Sequence, residues 1–162
     1  MQIIEVRIGI AELNTVFSPG KLITVGLGSC VAIALYDKSI GIGGLAHIML
    51  PDSTQFNNIN NPFKFADLAV PILIEKMEAL GAQKRNIKAK IAGGASMFNF
   101  SDKSMILDIG ARNSVAVKSA LLKQSIQMLG EEVGGNKGRT VIFDVINGMM
   151  QIKTVGLGIK EI

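Results

Sequence analysis

The chain has 162 residues, 48% of them apolar and 19% charged, which is long enough for one hydrophobic core and too apolar for disorder. Its net charge of +4 comes from lysines and arginines scattered without a basic run; with no Trp and one Tyr to stack on bases, this points away from nucleic acid and toward an acidic protein partner. No apolar stretch approaches the roughly 20 residues of a membrane span, the N-terminus lacks the pattern of a signal peptide, and one Cys with one His makes neither a disulfide nor a zinc cluster.

Ile4, Val6, Ile8 and Ile10 alternate with Glu5, Arg7 and Gly9, the period of a half-buried strand. After the Ser18-Pro19-Gly20 turn signal, Leu22 to Val25 reads as a second strand running into Gly26-Leu27-Gly28-Ser29, and Cys30 follows at once. Val31 to Tyr36 and Gly41 to Leu50 are apolar runs separated by Asp37-Lys38-Ser39 and stopped by Pro51, which predicts a hairpin with both arms largely buried. Residues 52–63 hold four asparagines and no apolar period, as suits a surface loop or lid.

Phe65, Leu68, Ala69, Ile72, Leu73, Lys76, Met77 and Leu80 mark one face of a helix that Gly81 ends. Pro71 calls for a helix start just before it or a kink at it. Ile87 to Ala92 reads as a strand, and a short strand is expected around Ile106 to Ile109. Asn113 or Ser114 then caps a second helix running to Gly130, with Val117, Ala120, Leu121, Leu122, Ile126 and Leu129 as its apolar set. A glycine-rich loop spans residues 131–138, and Thr140 to Ile146 and Met149 to Val155 flank Asn147-Gly148, a strong hairpin signal. The order predicts an α/β chain of the α+β type: one domain over residues 1–162, a layered sandwich of mixed β-sheets covered by two main helices. A cytoplasmic monomer is expected.

The only thiol, Cys30, sits where a glycine-rich turn meets a strand, and the only imidazole, His47, lies on the returning arm of the proposed hairpin. Roughly opposite each other, the two form the pair that thiol hydrolysis needs, a nucleophile and its base. Taken singly, each also fits an ordinary core residue, and a sealed core thiol would leave Cys30 inert to small reagents, whereas a depressed thiol pKa would speak for chemistry. A third group must orient the imidazole; Thr24, Asp37 and Asp52 all compete for the role. The backbone N–H groups of Ser29 and Cys30 are the candidates for an oxyanion hole. Gly26 to Val31 imitates a dinucleotide fingerprint, but valine fills the sixth position and no helix follows; Gly134 to Gly138 has the wrong spacing for a phosphate loop.

Leu27-Gly28-Ser29-Cys30-Val31 and Gly43-Gly44-Leu45-Ala46-His47-Ile48-Met49-Leu50-Pro51 resemble the signature of the chemoreceptor glutamine deamidase (CheD) family. Phe65-Ala66-Asp67 with its helix to Gly81-Ala82, Lys90 to Ala95, Ile109 to Asn113, Gly134-Gly135 and Gly138-Arg139 resemble further family blocks in family order, and Pro71 matches a proline of the family's helix. The resemblance implies a Cys-His-Thr triad on Cys30, His47 and Thr24, a layered fold similar to toxin-type deamidases, and no cofactor or metal. It implies deamidation of glutamine side chains on methyl-accepting chemotaxis receptors, with glutamyl methyl-ester hydrolysis as a second activity. The alternative it implies is an adaptor that binds a CheC-type phosphatase, with catalysis secondary.

Overall fold

The computed structural model describes residues 2–96 and 108–162. In chain order the elements are β1 (Ile4–Arg7), β2 (Leu13–Phe17), β3 (Gly20–Leu27), β4 (Val31–Asp37), β5 (Ile42–Ile48), α1 (Ala66–Ala79), β6 (Ile87–Gly93), α2 (Ile109–Lys123), β7 (Gln127–Val133), β8 (Arg139–Asp144), β9 (Met149–Thr154) and β10 (Gly158–Glu161). The strands form two mixed five-stranded sheets, the first in the order β1-β3-β8-β9-β10 and the second β2-β5-β4-β6-β7. Both helices pack on the second sheet, so that sheet lies between a helical layer and the first sheet, the expected mixed α+β layering.

The two faces of the second sheet carry different side chains. Toward the helices, Val31, Ile33 and Leu35 of β4 and Ala46 and Ile48 of β5 pack against Ala69, Leu73 and Met77 of α1 and Val117 and Leu121 of α2. Toward the first sheet, the residues are smaller: Ala32, Ala34 and Ala92 meet Leu22, Leu27, Val141, Phe143 and Ile152. Two adjacent glycines of β5 let the layers close. A Cβ on Gly43 would stand 2.7 Å from Val145 of the layer below, and one on Gly44 would stand 2.8 Å from Leu73 of α1.

The predicted hairpin forms as β4 and β5, and the Asn147-Gly148 hairpin forms as β8 and β9. Several expectations are corrected. β2 and β10 are strands that periodicity does not reveal. β1 lies at an edge of its sheet, so Ile8 is buried but Ile4 and Ile10 are exposed, against the alternation expected. In α1 the buried set is Ala66, Ala69, Val70, Leu73, Ile74 and Met77, while Leu80 is exposed; Pro71 lies inside a helix that begins five residues earlier.

The second helix starts and stops earlier than expected. Asp108 caps it, its carboxylate accepting from the Ala111 N–H at 3.1 Å, and Ile109 is its first residue rather than the end of a strand. The rest of the short strand expected there falls outside the described residues. The helix ends at Lys123, not Gly130, because Ser125 takes a left-handed conformation (φ 57°) and the Ile126 N–H closes back onto the Leu121 carbonyl. The chain then becomes β7, and Leu122 and Leu129 are exposed.

Candidate active site

Thr24 reaches the site through an irregularity in β3. Thr24 pairs with Val141 and Leu27 with Arg139, so three steps on β3 match two on β8. This bulge turns Leu22, Thr24 and Leu27 all toward the second sheet, which a regular strand cannot do because 24 and 27 differ in parity. The extra residue is accommodated at Gly26, whose φ of +72° is in the region that favours glycine.

His47 comes from the facing sheet. It pairs with Ala32 across the hairpin and, by alternation, projects on the same face as Leu45, into the space between the sheets. Its backbone is held by the turn after β1, with the Ala11 N–H donating to the His47 carbonyl at 2.9 Å and the His47 N–H donating to Glu12 at 3.0 Å. Ala11 adopts a φ of 61°, an uncommon conformation for alanine and one that lets this turn grip β5.

The two buried side chains meet: Thr24 Oγ1 lies 2.8 Å from His47 Nδ1 and 2.7 Å from the Ile8 carbonyl oxygen. A hydroxyl has one proton, and the carbonyl can only accept, so the Thr24 proton goes to Ile8. Oγ1 must then accept from Nδ1–H. This fixes the neutral tautomer with a bare lone pair on Nε2, which is buried and has no hydrogen-bond partner among the described residues. Burial lowers the His47 pKa to about 4, so the ring is neutral at ordinary pH.

Cys30 immediately precedes β4 and packs, half-buried, against the same inter-sheet cluster. Ala32, not Cys30, stands opposite His47, so the thiol is the diagonal neighbour, two residues removed from direct opposition. No hydrogen bond joins Sγ to Nε2. Burial pushes the thiol pKa up and outweighs the lowering by its own backbone N–H, so the depressed value of a preformed thiolate is not found. Burial thus favours the neutral form of both the thiol and the imidazole.

The competing orienting groups lie elsewhere. Asp37, at the far end of β4, accepts hydrogen bonds from the Ser39 N–H, the Ser39 hydroxyl and the Gln83 N–H. Asp52 is occupied by the Thr54 N–H and hydroxyl in an exposed turn. Residues 53–63 are tied at both ends, the Ser53 hydroxyl donating to Asp67 at 2.6 Å and Asn61 Nδ2 to the Ala11 carbonyl at 3.0 Å.

The Ser29 and Cys30 N–H groups make no backbone hydrogen bond among the described residues. The carbonyls around them are held instead: Gly94 N–H donates to Cys30 O at 2.8 Å and Ala95 N–H to Gly28 O at 2.9 Å. Gly93 passes so close that a Cβ there would overlap the Cys30 carbonyl. Asn113, read from sequence as a helix cap and as the end of a family block, is fully buried in α2, with Nδ2 donating at 2.9 Å to both Ser29 O and Met49 O. A polar residue on the packed face of a helix was the one available signal.

No group of three His, Cys, Asp or Glu residues able to hold a metal occurs among the described residues. No helix among them is long and apolar enough to cross a membrane.

The family model described as CheD chemotactic sensory transduction matches residues 49–154, a span that starts beyond Thr24, Cys30 and His47. Over its full 162 residues the chain is 70% identical to the probable chemoreceptor glutamine deamidase CheD of Clostridium kluyveri, covering 100% of both. Proteins of the same name from Clostridium novyi and Clostridium acetobutylicum are 67% and 62% identical over 158 residues, covering 98% of this chain and 98% and 95% of theirs. Among solved structures, a Bacillus licheniformis hypothetical protein, YfiH, aligns at TM-score 0.45 and 13% identity over 72% of this chain and 48% of that one, too slight a likeness to bear on fold or function. Identity sustained from end to end, together with a family match across most of the chain, establishes that this protein belongs to the CheD family.

Proposed function

We propose that the chain hydrolyses glutamine side-chain amides on chemoreceptors, with Cys30 as nucleophile, His47 as base and Thr24 as the group that orients the base. The observation that carries this reading is the Thr24–His47 hydrogen bond, which leaves Nε2 bare on the face of the hairpin that Cys30 shares. The names of the relatives supply the substrate class.

In the first step His47 Nε2 takes the Sγ proton as Sγ attacks the carboxamide carbon. The carbonyl electron pair moves to oxygen, and backbone N–H groups at Ser29 and Cys30 stabilise the oxyanion, each such donor being worth about a hundredfold to a thousandfold. Collapse returns the pair to the carbonyl, breaks the C–N bond and expels ammonia with the proton from His47, leaving a thioester. Water, deprotonated by the now neutral His47, attacks the thioester to give glutamate and the free thiol.

Wild-type protein incubated with receptor cytoplasmic fragments should show the amide-to-acid mass change at particular glutamines, and Cys30→Ala should not. Conversion by Cys30→Ala at the wild-type rate would end the reading. The same thioester could be reached from a glutamyl methyl ester, so methanol release from methylated receptor measures that second activity. The adaptor reading, binding of a CheC-type phosphatase as the main role, would instead leave chemotaxis intact in Cys30→Ala cells. The reading takes residues 1–162 as one catalytic domain, a cytoplasmic monomer that needs no cofactor.

A further inference from the structure

One side-chain nitrogen joins the two strands that carry the chemistry. Asn113 Nδ2 has two protons, and it gives one to Ser29 O and the other to Met49 O, each at 2.9 Å. Ser29 O is the carbonyl of the peptide that leads into Cys30, and Met49 lies just past the end of β5, two residues after His47. The side chain is fully buried, and its Oδ1 has no hydrogen-bond partner among the described residues. Satisfying those two carbonyls therefore leaves an uncompensated buried acceptor, an unusual arrangement in a helix face made otherwise of small and aliphatic residues.

The consequence follows from peptide geometry. A trans peptide is planar, with its N–H directed opposite to its C=O. Holding the Ser29 carbonyl toward α2 therefore aims the Cys30 N–H away from the helix, and that N–H makes no backbone hydrogen bond. We propose that Asn113 is a positioning residue for the reaction: by gripping Ser29 O it aims the Cys30 N–H at the tetrahedral oxygen, and by gripping Met49 O it sets the spacing between the thiol-bearing and imidazole-bearing strands. The inference rests on the assignment of Cys30 as nucleophile.

The test uses the full chain as wild type, Cys30→Ala, Asn113→Ala and Asn113→Asp. Three quantities are read: kcat and KM for receptor glutamine conversion, inhibition by a receptor peptide carrying an aldehyde in place of the carboxamide, and alkylation of Cys30 by iodoacetamide. The aldehyde adds the thiol to form a hemithioacetal whose oxygen needs the same donor, whereas alkylation displaces iodide at carbon and forms no oxyanion. For Asn113→Ala, kcat should fall about a hundredfold with KM little changed, aldehyde inhibition should weaken by a similar factor, and alkylation should stay near the wild-type rate. Unchanged kcat and aldehyde inhibition would overturn the inference, as would a loss of alkylation in step with kcat, which marks general loosening.

Should Asn113→Ala fail to fold, Asn113→Asp decides, since it fills the same volume. Only its protonated form can donate to Ser29 O, so its activity relative to wild type should rise as pH falls from 8 toward 5.5; a ratio flat with pH overturns the inference. An active Cys30→Ala would sink the nucleophile assignment itself. A dead Cys30→Ala beside a fully active Asn113→Ala would sink only the role of Asn113.

Discussion

The two ends of the β4–β5 hairpin treat buried polar groups in opposite ways. At the turn end, the buried Asp37 carboxylate accepts three hydrogen bonds, from the Ser39 N–H and hydroxyl and from the Gln83 N–H. At the open end, His47 Nε2 and Asn113 Oδ1 are buried without partners among the described residues, and the Cys30 thiol is unlinked to either. Both ends belong to one hairpin with one register, so the contrast is not a matter of overall packing quality. A buried acceptor left empty costs about 1–3 kcal/mol, so the open end bears a cost that the turn end avoids.

The comparison is broken most sharply by exchanging what each end loses. His47→Ala should lower kcat per folded molecule for receptor deamidation by at least about a hundredfold, the lower bound for removing a general base. Asp37→Ala should spare kcat. Its three donors lose their acceptor, at about 1–3 kcal/mol, so thermal unfolding should move several degrees lower while kcat per folded molecule is unchanged. If Asp37→Ala reduced kcat as His47→Ala does, the division of the hairpin into a structural and a chemical end would fail.

A second effect of comparable size concerns pH. An unfolded chain protonates His47 below about 6.5, but the folded chain refuses that proton until about pH 4. Between those values the unfolded state binds more protons, so stability falls as pH falls, by about 3 kcal/mol once both limits are passed. Denaturant titrations of wild type and His47→Leu across pH 7 to 4 should diverge by that amount, the wild type losing more. Activity needs the neutral ring, so the acid limb of kcat/KM should be displaced well below the ordinary histidine value, toward pH 4.

The smallest expected effect is at Thr24. Thr24→Val keeps the shape and removes the oxygen that receives Nδ1–H, so the wrong tautomer is no longer excluded. One hydrogen bond of about 1–3 kcal/mol corresponds to a loss of roughly fivefold to a hundredfold in kcat, and Thr24→Ser should restore most of it. A Thr24→Val enzyme with wild-type kcat would show that the imidazole is held by its backbone clamp alone.

What the sequence discloses depends on how local the physics is. The two helix ends illustrate this: both close by the same backbone pattern, Ala82 N–H onto Met77 O and Ile126 N–H onto Leu121 O. At the first end glycine takes the left-handed position, Gly81 with φ 109°, and the boundary is legible; at the second it is Ser125, which carries no such mark. The buried hairpin is legible because its two apolar runs flank a polar turn. Its register is not, and the two-residue displacement of Cys30 from opposition to His47 depends on how Asp37 to Ile42 turn the chain. β2 is hidden for a similar reason: only Leu13 and Val16 are buried, and that spacing makes sense only beside β5. Thr24 could be placed by resemblance, but its contact with His47, which neither Asp37 nor Asp52 makes, depends on the bulge that turns it inward. Asn113 was legible as a polar residue on a helix, but its contacts were not, since its two acceptors are 84 and 64 residues away in the chain.

The bulge at Val25–Gly26 sits in one sheet and the imidazole in the other, so the base is oriented only when both layers have closed. A newly made or partly melted chain holds a thiol and an imidazole but no agreement between them about where the proton belongs. The hydrogen bond that decides where that proton sits is therefore a property of the two assembled layers and of neither alone.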